Sequence, residues 1–482
     1  MLDLIEFRIL DINSAFRGVP VSALMENAGR RLALAVEREA PGRSDVLVVC
    51  GPGNNGGDGY AAAASLRDRF AVHVLQVPPG TPPGSALAAI HFSRVADLVA
   101  DEAFVRSLDP SKTVVVDALL GSGANRPPAG EFLKAIELMR GMRDGGSLLI
   151  SADVPSGFPV STLLHPDITV TFHDIKSGMN EGNSGSIEVA DIGIPEKATA
   201  FTGPGEMLLY PPPQHDSHKG KNGVVTVIGG GPFAGAPAFS SMAAYRTGAD
   251  LVYTIVPGVN YQAVASFSPN LMPFPSGGDA FSVSDVPLAL RWAGRSGAAV
   301  IGPGMDGGEE TSSFISSFLR EASIPLVVDA AAIAVAGREH SLIRGRKVVV
   351  TPHAREFERL TGEEAATDLG KRGEQIRSWA ERLGITILLK GAVDIISDGG
   401  RLKMNDTGNA GMTVGGTGDV LTGIVASLMS KGASPFDAAR LGAYINGSAG
   451  DISFETKSYG LLATDVIEDI PSVLVRYTGA VK

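Results

Sequence analysis

The chain has 482 residues, 44% of them hydrophobic and 19% charged, with a formal net charge of −11 and one cysteine. That length exceeds one ordinary core and points to two or three domains, while the apolar share excludes a disordered chain. The acidic balance, without any dense Lys/Arg cluster, argues against a nucleic-acid partner, and a single cysteine excludes a disulfide framework or a Cys-rich zinc site.

In chain order, residues 1–11 mix Asp3, Glu6 and Arg8 with apolar residues and read as neither a signal peptide nor a membrane anchor. No apolar run elsewhere reaches the roughly 18 residues that span a bilayer, so a cytoplasmic protein without membrane partners is expected. β-branched runs at 45–49, 71–77, 113–117 and 147–152 alternate with helical patterns, which predicts a parallel sheet covered by helices. The first run ends in Cys50, expected to be a small buried filler, and leads into Gly51-Pro52-Gly53-Asn54-Asn55-Gly56-Gly57-Asp58-Gly59, with a helix predicted over 60–69. Strand, glycine loop and helix make a cradle for an anion or nucleotide, because glycines admit close backbone approach and a helix N-terminus presents unpaired amides. The alternative is a plain βα turn. The spacing is not that of the dinucleotide fingerprint.

Two later strand ends carry matching chemistry: Asp117 precedes Gly121-Ser122-Gly123-Ala124-Asn125-Arg126-Pro127, and the fourth run enters Asp153-Val154-Pro155-Ser156-Gly157. Ligands of open α/β sheets sit outside the carboxyl ends of the strands, so the three loops should converge. Asn55, Asp117 and Ser156 offer hard oxygen donors suited to an alkali or alkaline-earth ion.

Together with Leu24-Met25-Glu26-Asn27-Ala28-Gly29, these segments resemble the NAD(P)H-hydrate epimerase domain over about the first two hundred residues. The resemblance implies that the loop from Asn54 to Asp58 and the segment from Gly121 to Pro127 contact the hydrated dinucleotide. It also implies that Asn55, Asp117 and Ser156 hold a potassium ion and that Asp153 is a carboxylate at the reacting centre. Lys176 fits the same pattern. One departure is Gly157-Phe158-Pro159, where the family continues with leucine and acidic residues.

Residues 202–221 contain Gly203-Pro204-Gly205, Pro211-Pro212-Pro213 and a polar run, a linker by composition. A boundary near 208 gives domains 1–208 and 209–482. Beyond it, runs at 224–228, 298–301, 347–350 and 385–389 each deliver a loop to one rim: Gly229-Gly230-Gly231-Pro232, Gly302-Pro303-Gly304, Thr351-Pro352-His353 and Lys390-Gly391. Gly415-Gly416-Thr417-Gly418-Asp419 opens a helix predicted over 420–429, an anion hole with a carboxylate placed as a general base. The alternative is an aspartate that only favours the helix dipole.

With Gly235-Ala236-Pro237 and Lys219-Gly220-Lys221-Asn222-Gly223, these segments resemble the ADP/ATP-dependent NAD(P)H-hydrate dehydratase of the ribokinase-like superfamily over residues 218–450. That implies nucleotide binding by Lys390, Gly391, Ala392, Val393, Asp394 and Gly418. It implies binding of the hydrate by Ala236, Gly304, His353 and Asp419, with Asp419 activating its hydroxyl, magnesium on the phosphates, and a homo-oligomer. Here Asp329-Ala330-Ala331-Ala332-Ile333 replaces the family's Asp-Ala-Asp-Ala-Leu.

The expectation is thus an α/β protein with a Rossmann-like three-layer α/β/α domain followed by a ribokinase-like α/β domain. Its function would be to epimerise R and S forms of hydrated NADH or NADPH and to dehydrate the S form while ADP becomes AMP and phosphate. The alternative is a ribokinase-like small-molecule kinase with a noncatalytic N-terminal binding module.

Overall fold

The computed structural model describes residues 1–478. It divides into two compact units, Met1–Ala198 and Thr199–Lys482.

In the first unit, β1 (Asp45–Cys50), β2 (Ala71–Gln76), β3 (Thr113–Ala118), β4 (Leu148–Ala152), β5 (Ile168–Phe172) and β6 (Ser186–Ala190) form one sheet in the order β2-β1-β3-β4-β5-β6. Every pairing is parallel. The central strands β1, β3 and β4 are mostly apolar because both faces are covered. Val46, Val48, Val114 and Val116 pack with Leu32, Val36, Tyr60 and Leu66 on one face. Leu47, Val49, Val115 and Leu149 pack with Ile136 and Met139 of the helix Glu131–Asp144 on the other. Cys50 is fully buried, as a filler should be. The sheet grows outward in both directions from β1 and β3, so its crevice opens outside their carboxyl ends.

The helix after β1 spans Asn54–Leu66, starting six residues before the expected 60 and absorbing the glycine-rich stretch. Packing overrides propensity here. A Cβ at Gly57 would sit 2.6 Å from Met25 Sδ, and one at Gly59 would sit 2.5 Å from the Ala118 side chain. Only glycine lets this helix lie so close to its neighbours, which offsets the roughly 1 kcal/mol each costs in helix propensity.

The second unit contains β7 (Val224–Ile228), β8 (Leu251–Val256), β9 (Met272–Pro275), β10 (Ala298–Ile301), β11 (Leu326–Val328), β12 (Val348–Val350), β13 (Thr386–Leu389), β14 (Asp394–Ser397) and β15 (Leu402–Asn405). Their order is β15-β14-β13-β12-β11-β10-β7-β8-β9. The sheet is parallel from β9 to β13, but β14 and β15 are antiparallel. A purely parallel sheet fails at this edge because residues 390–393 are too short for a crossover. The switch of direction lies between β7 and β10. Val225, Val227 and Val300 face Val420, Ile424 and Leu441 on one side, and Ile228, Ala299 and Ile301 face Phe314, Phe318 and Ala332 on the other.

The Gly/Pro-rich stretch expected to be a linker is anchored in this unit at its start. Thr202 and Glu206 are fully buried, Thr202 Oγ1 donates to Asn405 Oδ1 at 2.7 Å, and Glu206 lies 3.8 Å from the buried Arg440 guanidinium. Among the described residues no helix is long and apolar enough to cross a membrane.

Candidate active sites

In the first unit, the loops after β1, β3 and β4 converge on a cavity of about 850 Å³. Its walls include Asn54, Asn55 and Asp58, the stretch from Gly121 to Asn125, and Asp153. Arg126 and Pro127 are exposed and outside that lining. Gly56 and Gly57 face protein instead: a Cβ on Gly56 would lie 1.9 Å from the Gly51 carbonyl oxygen. These glycines let the first turn of the helix pack closely, whereas Gly53 and Gly123 have open space beside them.

Asp117 and Ser156 are fully buried and outside that lining. Asp117 accepts from Ser151 Oγ at 2.8 Å, Ser156 N at 2.9 Å and Leu119 N at 3.3 Å, and also from the Ser156 hydroxyl. Burial pushes its carboxyl up, against the downward pull of those donors, and burial prevails. Asn55 is only 8% exposed, and neither atom of its amide has a partner. A buried, unpaired polar group requires an account; here the residue belongs to the cavity wall.

Asp153, just past β4, adopts φ 65°, a conformation unusual outside glycine that concentrates at functional sites. Its carboxylate is bound by the Lys176 ammonium and the Phe172 amide. Lys176 is 1% exposed; it also donates to Thr171 Oγ1 and the Phe172 carbonyl, both at 2.9 Å, and lies 4.2 Å from the centre of the Phe7 ring. Asp11, from the helix Leu4–Phe16, completes the wall. Burial and then Asp153 push its carboxyl up to about 6, and burial, Asp153 and Asp11 push Asp58 well above the carboxylate range. Phe158, in place of the family's leucine, is buried against Val154 and Met179.

In the second unit, the helix that carries Asp419 runs Thr417–Ser430, three residues longer at its start than expected. Asp419 therefore occupies its third position. Gly416 precedes the helix at φ 102°, and a Cβ there would strike the Phe239 ring at 2.7 Å. The Asp419 carbonyl is held by Ser240 Oγ at 2.9 Å and Thr422 Oγ1 at 2.8 Å. Burial, then Asp329, push its carboxyl up to about 7, against the pull of Lys390.

Lys390 lies 2.9 Å from Asp329 Oδ1 and 3.8 Å from Glu356 Oε2. Burial alone would lower its pKa, but Asp329 and Glu356 outweigh burial and hold it protonated. Asp329 also accepts from Thr351 Oγ1 at 2.7 Å. Gly418 adjoins this group, since a Cβ on it would lie 3.4 Å from Lys390 Nζ. Gly304, at φ 71°, packs against Ala236. His353 caps the next helix: its Nδ1 accepts from the Arg355 and Glu356 amides at 3.2 and 3.3 Å, while its own amide donates to Glu356 Oε2 at 2.9 Å. Its Nε2 lies 3.6 Å from Glu356 Oε1. In the turn from Lys390 through Gly391, Ala392 and Val393, Asp394 accepts from the Gly391 amide at 3.0 Å and Asn405 Nδ2 at 3.1 Å; burial pushes it up to about 6.

Residues 225–472 match the family model described as NAD(P)H-hydrate dehydratase, and residues 21–178 match that of the YjeF-related protein N-terminus. A bifunctional NAD(P)H-hydrate repair enzyme of Methanothermobacter thermautotrophicus is 36% identical, covering 98% of this chain and 94% of its own. Another from Pyrobaculum aerophilum is 37% identical, covering 98% of each. The chain belongs to the bifunctional NAD(P)H-hydrate repair enzymes. A ribokinase-like superfamily protein of Enterococcus faecalis, 25% identical with a TM-score of 0.51, covers 58% of this chain and 96% of that one, in keeping with the second unit's fold.

In this repair enzyme the residues that sequence reasoning missed are carboxylates: Asp11 in the first unit, and Asp329 and Glu356 as partners of Lys390 in the second. Glu356 carried a signal, because a residue three before it that can cap, His353, makes a capping box. Asp11 carried none, lying in a helix far from any glycine loop.

Proposed function

We propose that the first unit interconverts the R and S forms of hydrated NADH and NADPH, and that the second dehydrates the S form as ADP becomes AMP and phosphate. The observation that carries this reading is Asp419, a carboxyl with its pKa near 7 in the first turn of a glycine-led helix. A general base works best when its pKa lies near the working pH, and the exposed amides ahead of it suit a phosphate.

Asp419 takes the proton from the ring hydroxyl, whose oxygen forms a bond to the terminal phosphorus as the bond to AMP breaks. Lys390 and the amides of Gly415 to Gly418 balance the charge that gathers on the transferring group. Phosphate then leaves carbon as the ring nitrogen's lone pair pushes it out, and loss of a proton from the adjacent carbon restores the reduced nicotinamide. His353, Ala236 and Gly304 line the approach of the hydrate. When bound, magnesium neutralises phosphate oxygens, a role that needs no all-protein cage; among the described residues no group of three or more His, Cys, Asp or Glu side chains is arranged to hold a metal ion.

The Asn55 carbonyl oxygen has no partner, and together with the Asp117 and Ser156 oxygens it would suit a hard monovalent ion, for which we propose potassium. Since four protein donors already serve Asp117, Asn55 is the ligand with a free lone pair. Asn55→Ala should abolish any rise in the melting temperature of the first unit on exchanging sodium for potassium; an unchanged rise would place the ion elsewhere.

The test is recovery of NADH absorbance from a mixture of both hydrate epimers with ADP, magnesium and potassium. Complete recovery is expected. Recovery that stops at the fraction of one epimer would refute the epimerase assignment, and accumulation of a phosphorylated product would turn the second unit into a kinase.

A further inference from the structure

We propose that Asp11 and Asp58 are the acid–base pair that inverts the hydroxyl-bearing carbon in the first unit, a step that rests on the epimerase reading above. Both side chains line the cavity, from two different helices. The third carboxylate there, Asp153, is tied down by Lys176 and the Phe172 amide, so it holds charge rather than moving a proton. The Lys176 ammonium pairs with Asp153 and acts on Asp11 and Asp58 through its charge, and the exposed Arg8 is the cation among the described residues of the lining. With so little positive charge in a desolvated space the carboxyls cannot all ionise; burial pushes both Asp11 and Asp58 up, Asp11 to about 6. A second and independent sign of a ligand is Asn55, nine-tenths buried with both amide atoms unpaired and set in the same wall.

The hydrate carries its hydroxyl on a carbon bonded to the ring nitrogen. One carboxyl donates its proton to that hydroxyl, the carbon–oxygen bond breaks, and water departs as the nitrogen lone pair forms a carbon–nitrogen double bond. The resulting cation is stabilised by the Asp153 carboxylate. Water adds to the opposite face, its oxygen bonding to carbon while the double-bond electrons return to nitrogen, and the other carboxylate takes the released proton. Transfer of that proton between the two carboxyls resets the site; one water is lost and one gained, so the reaction is balanced.

The test uses the full chain and mixed hydrates with ADP, magnesium and potassium, with the epimerase step made limiting, so that NADH returns in a fast phase and a slow one. Asp11→Asn should slow the second phase by about 100-fold or more, the usual range for loss of acid–base catalysis, with Asp11→Glu recovering part of it. Without ADP, a single epimer in oxygen-18 water should gain one heavy oxygen per inversion. A second phase within about 3-fold of the original in Asp11→Asn, or inversion without label, overturns the proposal. If Asp11→Asn loses its folded circular dichroism signal, Asp58→Asn decides by the same readings. A missing second phase in the unmodified protein would instead sink the epimerase reading itself.

Discussion

Asp419 is subject to two opposed demands. The anion site wants few negative charges, yet the chemistry wants a carboxylate that will take a proton. Desolvation resolves the conflict by lifting its pKa from an ordinary 3.8 to about 7. As the proposed base it acts only when ionised, so kcat/KM for dehydration should rise with pH and level off above about 7 in a stopped-flow profile. Asp419→Asn should lower dehydration by roughly 10²–10⁴-fold while mixed hydrates still interconvert; loss of both activities would refute two separate sites. The same shift has a stability consequence. Between pH 3.8 and about 7 the folded state binds more protons at this group than the unfolded chain does, so its contribution falls as pH rises through that window. Asp419→Asn should therefore melt higher than the unmodified protein at pH 8, with the gain shrinking toward pH 4. His353 shows a different economy: one ring nitrogen caps a helix and the other lies 3.6 Å from Glu356 Oε1, so under the proposed role its replacement by Asn should keep the cap but weaken hydrate binding, visible as a higher KM.

At the scale of elements, strands were the most legible part of the sequence. The runs at 224–228 and 298–301 match β7 and β10 residue for residue, because strands buried on both faces must be continuously apolar. Helix starts were not legible. Asn54–Leu66 and Thr417–Ser430 both begin inside glycine stretches that read as loops, since the force that makes them helical is close packing against partners distant in sequence. A further case is Gly423, where a Cβ would lie 2.0 Å from the Ser240 carbonyl oxygen of the facing helix. Gly423→Ala improves helix propensity yet should destabilise the second unit by about 1–3 kcal/mol in urea melts through overpacking. The loops around each site were legible by motif, whereas the charges that tune them were not: Asp11 and Lys176 meet only through tertiary structure, and an isolated aspartate in an N-terminal helix has no local pattern to betray it. Ala330, at φ 50° beside Asp329, is similar; a strained backbone position has no signature when alanine occupies it. Ala330→Gly should relieve roughly 1 kcal/mol, measurable as a raised denaturation midpoint.

Across the whole molecule, two unrelated sheets have arrived at one arrangement: a lone lysine set among three carboxyl groups at the carboxyl ends of the strands. Lys176 has Asp11, Asp58 and Asp153; Lys390 has Asp329, Glu356 and Asp419. Near neutral pH such clusters are only partly charged, and each carries a vacancy for a proton. A dinucleotide hydrate brings its own phosphate anions, so its arrival should raise the pKa values nearby and draw hydrogen ions from the buffer. Binding then becomes a sink for solvent protons. Calorimetric titration of the hydrate in phosphate and in Tris at the same pH should give different apparent heats, the difference growing with the ionisation enthalpy of the buffer, and a slope of zero would mean that the protons were aboard before the substrate came.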